Sequence, residues 1–171
     1  ADVVAPPGWL DVLLVEMDRL EASLISVAVP IKDRKGVYSC GIGDPDDNYR
    51  PFRRWTDKEL RLMPPTFTAE DVGYPGGMML HNNGLWCADL RFEAFRETDE
   101  TGRLKCFFDF PGDVRRDRDG KWFWRGESED WYFSRMLHEV GLRNTYITTH
   151  VKPSHIGEEE WFSEKPWGRY Q

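Results

Sequence analysis

Residues 24–31, Leu-Ile-Ser-Val-Ala-Val-Pro-Ile, constrain the fold of this chain more than any other stretch. The run is apolar and β-branched at consecutive rather than alternate positions. The strand it predicts must therefore be covered on both faces. Pro30 has no amide proton to give a ladder, which predicts that this strand end lies at an edge or leaves the sheet. A second β-branched run, Tyr146 to Val151, predicts another strand.

Helical spacing recurs around these strands. Leu10, Leu13, Leu14, Met17 and Leu20 fall on one face of a predicted helix, with Pro7 tolerated at its start. Thr56-Asp57-Lys58-Glu59 is a capping box opening a short helix that Pro64-Pro65 stops. Ser128 predicts an N-cap, and Glu129 and Asp130 place negative charge in the first turn, where the helix dipole favours it. Phe133, Leu137 and Val140 supply that helix's buried face and Gly141 its C′ residue. Strands alternating with helices predict an α/β fold rather than an all-α or all-β one.

The remaining segments are rich in turn formers. Residues 32–55, with Gly41-Ile42-Gly43-Asp44-Pro45-Asp46-Asp47-Asn48, read as a long loop. Gly73 to Gly77 and Asn82-Asn83-Gly84 read as turns. Leu85 to Phe95 fits strand or helix, and Cys106 to Phe110 fits a strand or an aromatic loop. Asp113 to Lys121 reads as a charged, exposed stretch, and Trp122, Trp124 and Trp131 read first as packing residues, with sugar-stacking platforms the alternative. The acidic residues 44–47 lack the spacing of a calcium loop. Arg115, Arg116 and Arg118 alternate with Asp113, Asp117 and Asp119, a solvated mixed face rather than a phosphate clamp. His81, His138 and His150 read as structural.

The chain has 171 residues, a size that predicts a single domain over 1–171. Its formal net charge of -7 argues against a general nucleic-acid partner, which needs a basic face. No apolar run reaches the ~20 residues of a membrane span, and no basic segment precedes an apolar one as in a signal peptide. Cys40, Cys87 and Cys106 are odd in number and widely spaced, which predicts free thiols in a reducing, cytoplasmic setting.

Three pieces stand out in order: an Asp at the start (Asp2), the pair Glu129-Asp130 opening a helix, and His155-Ile156-Gly157 after a strand. Together they resemble glycosyltransferases of the GT-A fold, in particular phage and bacterial types. The likeness is greatest over residues 128–157. Asn82-Asn83-Gly84-Leu85-Trp86 resembles the segment lining the donor-sugar and acceptor pocket. Ser26 to Lys32, Arg53 to Thr56 and Leu62 to Phe67 resemble the middle of such enzymes. Ala1-Asp2-Val3-Val4-Ala5-Pro6-Pro7 looks like the family's Asp-x-Asp metal motif without its first Asp. The resemblance thus implies a C-terminal fragment of a transferase, the acceptor and metal half, with a mixed sheet flanked by helices. The N-terminal nucleotide-binding half, with its base and ribose contacts, would be missing upstream.

The resemblance implies transfer of a sugar from a nucleotide-sugar donor to a carbohydrate or other hydroxyl acceptor, with inversion favoured. Asp130 would be the base that takes the acceptor proton, and Glu129 would orient the acceptor or support the site. Asn83, Gly84, Leu85 and Trp86 would bind substrate. A divalent cation, Mn2+ or Mg2+, would neutralise the leaving diphosphate, with Asp2 and His155 as its ligands. An ionised carboxylate is expected for Asp130 from its place at a helix N-terminus. A sheet lacking its upstream units would expose an edge, so a homo-oligomer is expected. A non-catalytic carbohydrate-binding or interaction module is the alternative, and a nucleotidyltransferase of related architecture a third option.

Overall fold

The computed structural model describes residues 3–32 and 35–157 and the backbone of 160–162. In chain order the elements are β1 (Val3–Val4), α1 (Trp9–Leu20), β2 (Leu24–Val27), β3 (Val37–Gly43), β4 (Pro51–Thr56), α2 (Asp57–Leu60), β5 (Thr66–Phe67), β6 (Met79–Leu80) and β7 (Trp86–Ala88). A 3-10 turn at Glu93–Phe95 follows, then β8 (Gly112–Arg116), β9 (Trp122–Gly126), α3 (Glu129–Glu139), β10 (Thr145–Thr148), β11 (Ser154–Ile156) and β12 (Glu160–Phe162). The fold is mixed α/β, mostly strands. The expected mixed sheet exists, but it is one of several small sheets rather than a single large one.

The central sheet has the order β5-β10-β2-β7. β2 and β10 run parallel, Leu24 to Val27 beside Thr145 to Thr148, while β5 and β7 flank them antiparallel. Every residue of β2 is buried, as its uninterrupted apolar sequence requires. Ile25 and Val27 pack on one face against Leu13 of α1. Leu24 packs on the other against Phe133 and Leu137 of α3. Helices thus cover both faces, and each such side chain contributes roughly 1.5–3 kcal/mol by leaving water. A third core lies around Trp55 and Phe67, whose rings meet edge to face at 5.3 Å.

Both early caps follow the sequence, with one difference. Thr56 and Glu59 exchange the two reciprocal hydrogen bonds of a capping box. Ser128 is the N-cap of α3 by backbone conformation, but its hydroxyl makes no capping bond. At the other end, Gly141 has φ 80°, its N–H donates to the His138 carbonyl, and Leu142 N–H donates to the Leu137 carbonyl. That pair of bonds is a Schellman closure.

Four local expectations are corrected. Residues 32–55 are not a loop: they hold the β3–β4 hairpin, to which β6 adds a third strand. Its glycines serve close approach rather than turning, since a Cβ at Gly41 would overlap the Arg53 carbonyl. Asp113 to Lys121 is exposed as expected, but it is half of an antiparallel ribbon, β8–β9. On α1 the buried stripe is narrower than the spacing implied. Leu13 is buried, but Leu10 is 43% and Leu14 52% exposed, and the next buried position is Glu16. Glu16 goes inward because its carboxylate receives Arg19 at 2.8 Å and the Thr66 hydroxyl at 2.7 Å. Finally, Trp122 and Trp124 are not packing residues; they stand 68% and 55% exposed. Cys106 to Phe110 resolves as a loop and Leu85 to Phe95 as a strand followed by the 3-10 turn. All three cysteines are free thiols. No helix among the described residues is long and apolar enough to cross a membrane.

Candidate functional site

A cleft of about 470 Å3 opens between the Asn82–Gly84 turn, the first turn of α3, β1 and β11. It lies beyond the carboxyl ends of β2 and β10, where parallel-sheet folds tend to place their ligands. The turn is shaped by an Asn side chain closing on its own backbone: Gly84 N–H donates to Asn82 Oδ1 at 2.9 Å. Gly84 is required there by contact, since a Cβ would lie 2.8 Å from both Asn82 Oδ1 and Val3 Cγ2.

Asp130 enters from α3 and is tied to this turn. Asn82 Nδ2 donates to its Oδ2 at 3.1 Å, and Asn83 N–H donates to its Oδ1 at 3.3 Å. Burial pushes the Asp130 carboxyl up to about 6, the Glu129 charge beside it pushes the same way, and the bonds from Asn83 oppose. The first-turn dipole therefore does not dominate as the sequence implied; desolvation does. A carboxyl at about 6 is still mostly ionised at neutral pH and is better matched to proton transfer than an ordinary aspartate.

His155 reaches the same cleft from β11. Its Nδ1 lies 2.6 Å from the Pro30 carbonyl oxygen, so Nδ1 carries the proton and donates it there. Val3 and Val4 of β1 pair with His155 and Ser154. Trp86 forms the apolar wall with Phe108, at 5.9 Å between ring centres, and Phe108 stacks on Phe133 at 4.2 Å.

Six of the residues singled out in the sequence thus line one cleft: Asn83, Gly84, Trp86, Glu129, Asp130 and His155. Leu85 does not. It is 7% exposed and its side chain belongs to the core beside Leu13, while its carbonyl receives the Val27 N–H. Asp2 lies outside the described residues. Among the described residues no three His, Cys, Asp or Glu side chains converge as a metal site needs, so His155 alone does not make one. Asn82, placed by the sequence in the same turn and segment but given no role of its own, is what shapes the turn: an Asx residue two before a glycine offers a side-chain acceptor to that glycine's N–H.

Ser134, one turn after Asp130, anchors the back of the site. Its hydroxyl donates to the Asp130 carbonyl at 2.7 Å and receives the His81 N–H at 2.9 Å. His81 is buried beside Ser26, Nδ1 to hydroxyl 2.9 Å, and burial takes its imidazole down to about 3. It is therefore neutral at ordinary pH. No protein-family model matches the chain, and neither a curated protein nor a solved structure matches it.

Proposed function

We propose that the chain is a metal-dependent, inverting glycosyltransferase that moves a sugar from a nucleotide-sugar donor to a hydroxyl acceptor. The observation that carries this reading is the half-buried Asp130, its carboxyl raised to about 6, facing a cleft with Glu129, Trp86 and His155. In this reading Asp130 accepts the acceptor O–H proton as that oxygen bonds to the anomeric carbon. The anomeric carbon–oxygen bond to the diphosphate breaks in the same step, and its electron pair leaves with the diphosphate. Asn82 and Asn83 hold the carboxylate in place, Glu129 binds the acceptor, and Trp86 offers an apolar face to a sugar.

Mn2+ or Mg2+ is the cation of this reading, and it would supply charge neutralisation of the leaving diphosphate. An imidazole oriented by a carbonyl on Nδ1, as His155 is, has the support that ligating histidines commonly have. A fold of the GT-A kind is part of the same proposal.

Titration calorimetry with UDP, GDP and their common sugar conjugates, each with and without Mn2+, tests it. Metal-dependent binding of one nucleotide is expected. Binding of that nucleotide by Asp130→Asn, with transfer to a hydroxyl acceptor lost, assigns the base. Absence of binding to every nucleotide in both conditions overturns the reading for this chain.

A further inference from the structure

The β8–β9 ribbon is turned the wrong way round for a structural element. Cross-strand pairing puts Val114 opposite Trp124 and Arg116 opposite Trp122, which places these four on one face. The other face carries Asp113, Arg115, Phe123 and Arg125, of which Arg125 pairs with Asp47 and lies 4.3 Å over the Tyr49 ring. The Arg125 side therefore anchors the ribbon, and the face with both tryptophans looks at solvent. Burial would favour the reverse, and an exposed apolar patch of this kind marks a binding surface.

The patch is also built flat. Gly112 and Gly126 are direct cross-strand partners and neither has a side chain. The Trp124 indole fills the space over both: a Cβ at Gly112 would overlap its six-membered ring, and one at Gly126 would lie 2.7 Å from Nε1 and 3.0 Å from the Phe110 ring. An indole laid on a glycine pair presents its π face and cannot protrude. Trp122 stands two positions along the same strand face, roughly 7 Å away, with the Arg116 guanidinium 5.7 Å from its ring centre. Phe110, 56% exposed, continues the surface toward Phe108, which lines the Asp130 cleft two residues earlier.

We infer that this ribbon is a sugar-stacking platform that holds a neutral glycan acceptor leading into the Asp130 cleft. The word acceptor rests on the transferase reading; the stacking itself does not. A flush indole such as that of Trp124, with the exposed Trp122 ring beside it, fits the flat C–H face of a pyranose. A membrane surface would be met by side chains that protrude further than an indole seated on glycine. Anionic lipid or single-stranded nucleic acid needs an unbroken basic surface, whereas here Arg115, Arg116 and Arg118 alternate with Asp113, Asp117 and Asp119, Arg115 and Arg125 are already paired with Asp113 and Asp47, and the whole chain carries a net charge of -7.

The test measures tryptophan emission and calorimetric binding of the full chain. The probes are neutral hexasaccharides of glucose, xylose, mannose and N-acetylglucosamine in α and β linkages. At least one hexasaccharide is expected to shift the emission and bind. Trp124→Ala and Trp122→Ala should each weaken that binding about tenfold or more. Gly126→Val, which keeps both indoles but lifts one off its seat, should weaken it comparably. Phe52→Ala, an exposed aromatic elsewhere, should leave it unchanged. Thermal melts of each variant identify any that fail to fold, and Trp122→Ala, with its highly exposed ring, keeps the test decisive if Trp124→Ala does. No binding by any hexasaccharide, or binding untouched by all three ribbon variants, overturns the inference. So does a sedimentation or vesicle-flotation result (phosphatidylcholine with phosphatidylglycerol) in which the same variants abolish self-association or lipid binding instead. Nucleotide titration is scored separately. Glycan binding without nucleotide binding removes the transferase reading and leaves the platform, and the converse removes the platform alone.

Discussion

The Asn83 backbone N–H donates to Asp130 Oδ1 across 47 residues of chain, at 3.3 Å. This contact joins a turn that leads into the central sheet to the first turn of the helix packed on that sheet. The carboxylate is consequently held by two separate parts of the fold, and its ionisation reports on both.

Replacing Asp130 by Asn should stabilise the protein at neutral pH. In the folded chain this carboxyl binds its proton up to about pH 6, whereas unfolded it releases it near 3.8. The folded state then holds more protons between those values, so this group's contribution to stability falls as pH rises from about 4 to about 6. Asp130→Asn removes that cost. A gain of about 1–2 kcal/mol is expected above pH 7, vanishing near pH 4. Chemical denaturation at both pH values measures it.

His81 works in the opposite sense over part of the same range. Its folded pKa is lowered from 6.5 to about 3, so it stabilises fully above 6.5 and progressively less as pH falls toward 3. Between pH 4 and 6 the two slopes offset one another, each up to ~1.4 kcal/mol per pH unit. Asp130→Asn should therefore lose stability more steeply on acidification from pH 6 to pH 4 than the wild type does. Parallel melting-temperature profiles for the two proteins over that range would contradict this.

Asn82→Ala removes the side-chain donor to Asp130 Oδ2 and leaves the Asn83 N–H. A bond to the charged form is lost, so the Asp130 carboxyl should titrate above its present value of about 6. Carbon-detected NMR titration of the carboxyl reads the shift directly. In a transfer assay the acid limb of the pH–rate profile should move up with it.

Gly84→Ala should destabilise by about 1–3 kcal/mol through overpacking, because the new methyl would press on Asn82 Oδ1 and Val3 together. Val3→Ala gives ground on one side only and should rescue part of that loss. Equilibrium unfolding of the two single variants and the double variant closes the cycle.

Glu127 is 3% exposed and receives Arg135 Nη2 at 2.7 Å and Nε at 3.1 Å. Truncating Glu127 to Ala leaves the guanidinium partly buried with Glu139 as its remaining carboxylate, and a loss of about 2–4 kcal/mol is expected. Removing both members, Glu127→Leu with Arg135→Met, should cost less than the single change.

The sequence was most legible where one physical signal dominated. Leu24 to Val27 had to be buried on both faces and is. The caps at Thr56 and Gly141 needed only local chemistry. Asn83, Gly84, Trp86, Glu129, Asp130 and His155, which the resemblance singles out, line one cleft in the fold. Failures came where two signals conflict. The glycines of β3 read as turn formers because a strand's need for close approach at Gly41 depends on a partner strand that local sequence does not reveal. Trp122 and Trp124 read first as packing residues, with a platform role as the alternative, because hydrophobicity carries no record of which ribbon face is anchored. Asp130 was expected to follow its helix position, but its burial comes from the Asn82–Gly84 turn and outweighs the dipole.

The parallel pairing of β2 with β10 sets the order in which this chain can acquire its structure. Ser23, just before β2, bonds to the Asn144 carbonyl just before β10, a separation of 121 residues. During synthesis β2 must therefore wait for the 121 residues that separate Ser23 from Asn144 before its central neighbour exists. Until then its apolar surface is covered by α1, β7 and the Phe95 and Cys106 side chains, without β10 or α3. Such late closure makes folding slow and leaves the nascent chain dependent on protection from aggregation. Expression yield should accordingly respond more to temperature and chaperone supply than to the stability of the finished fold.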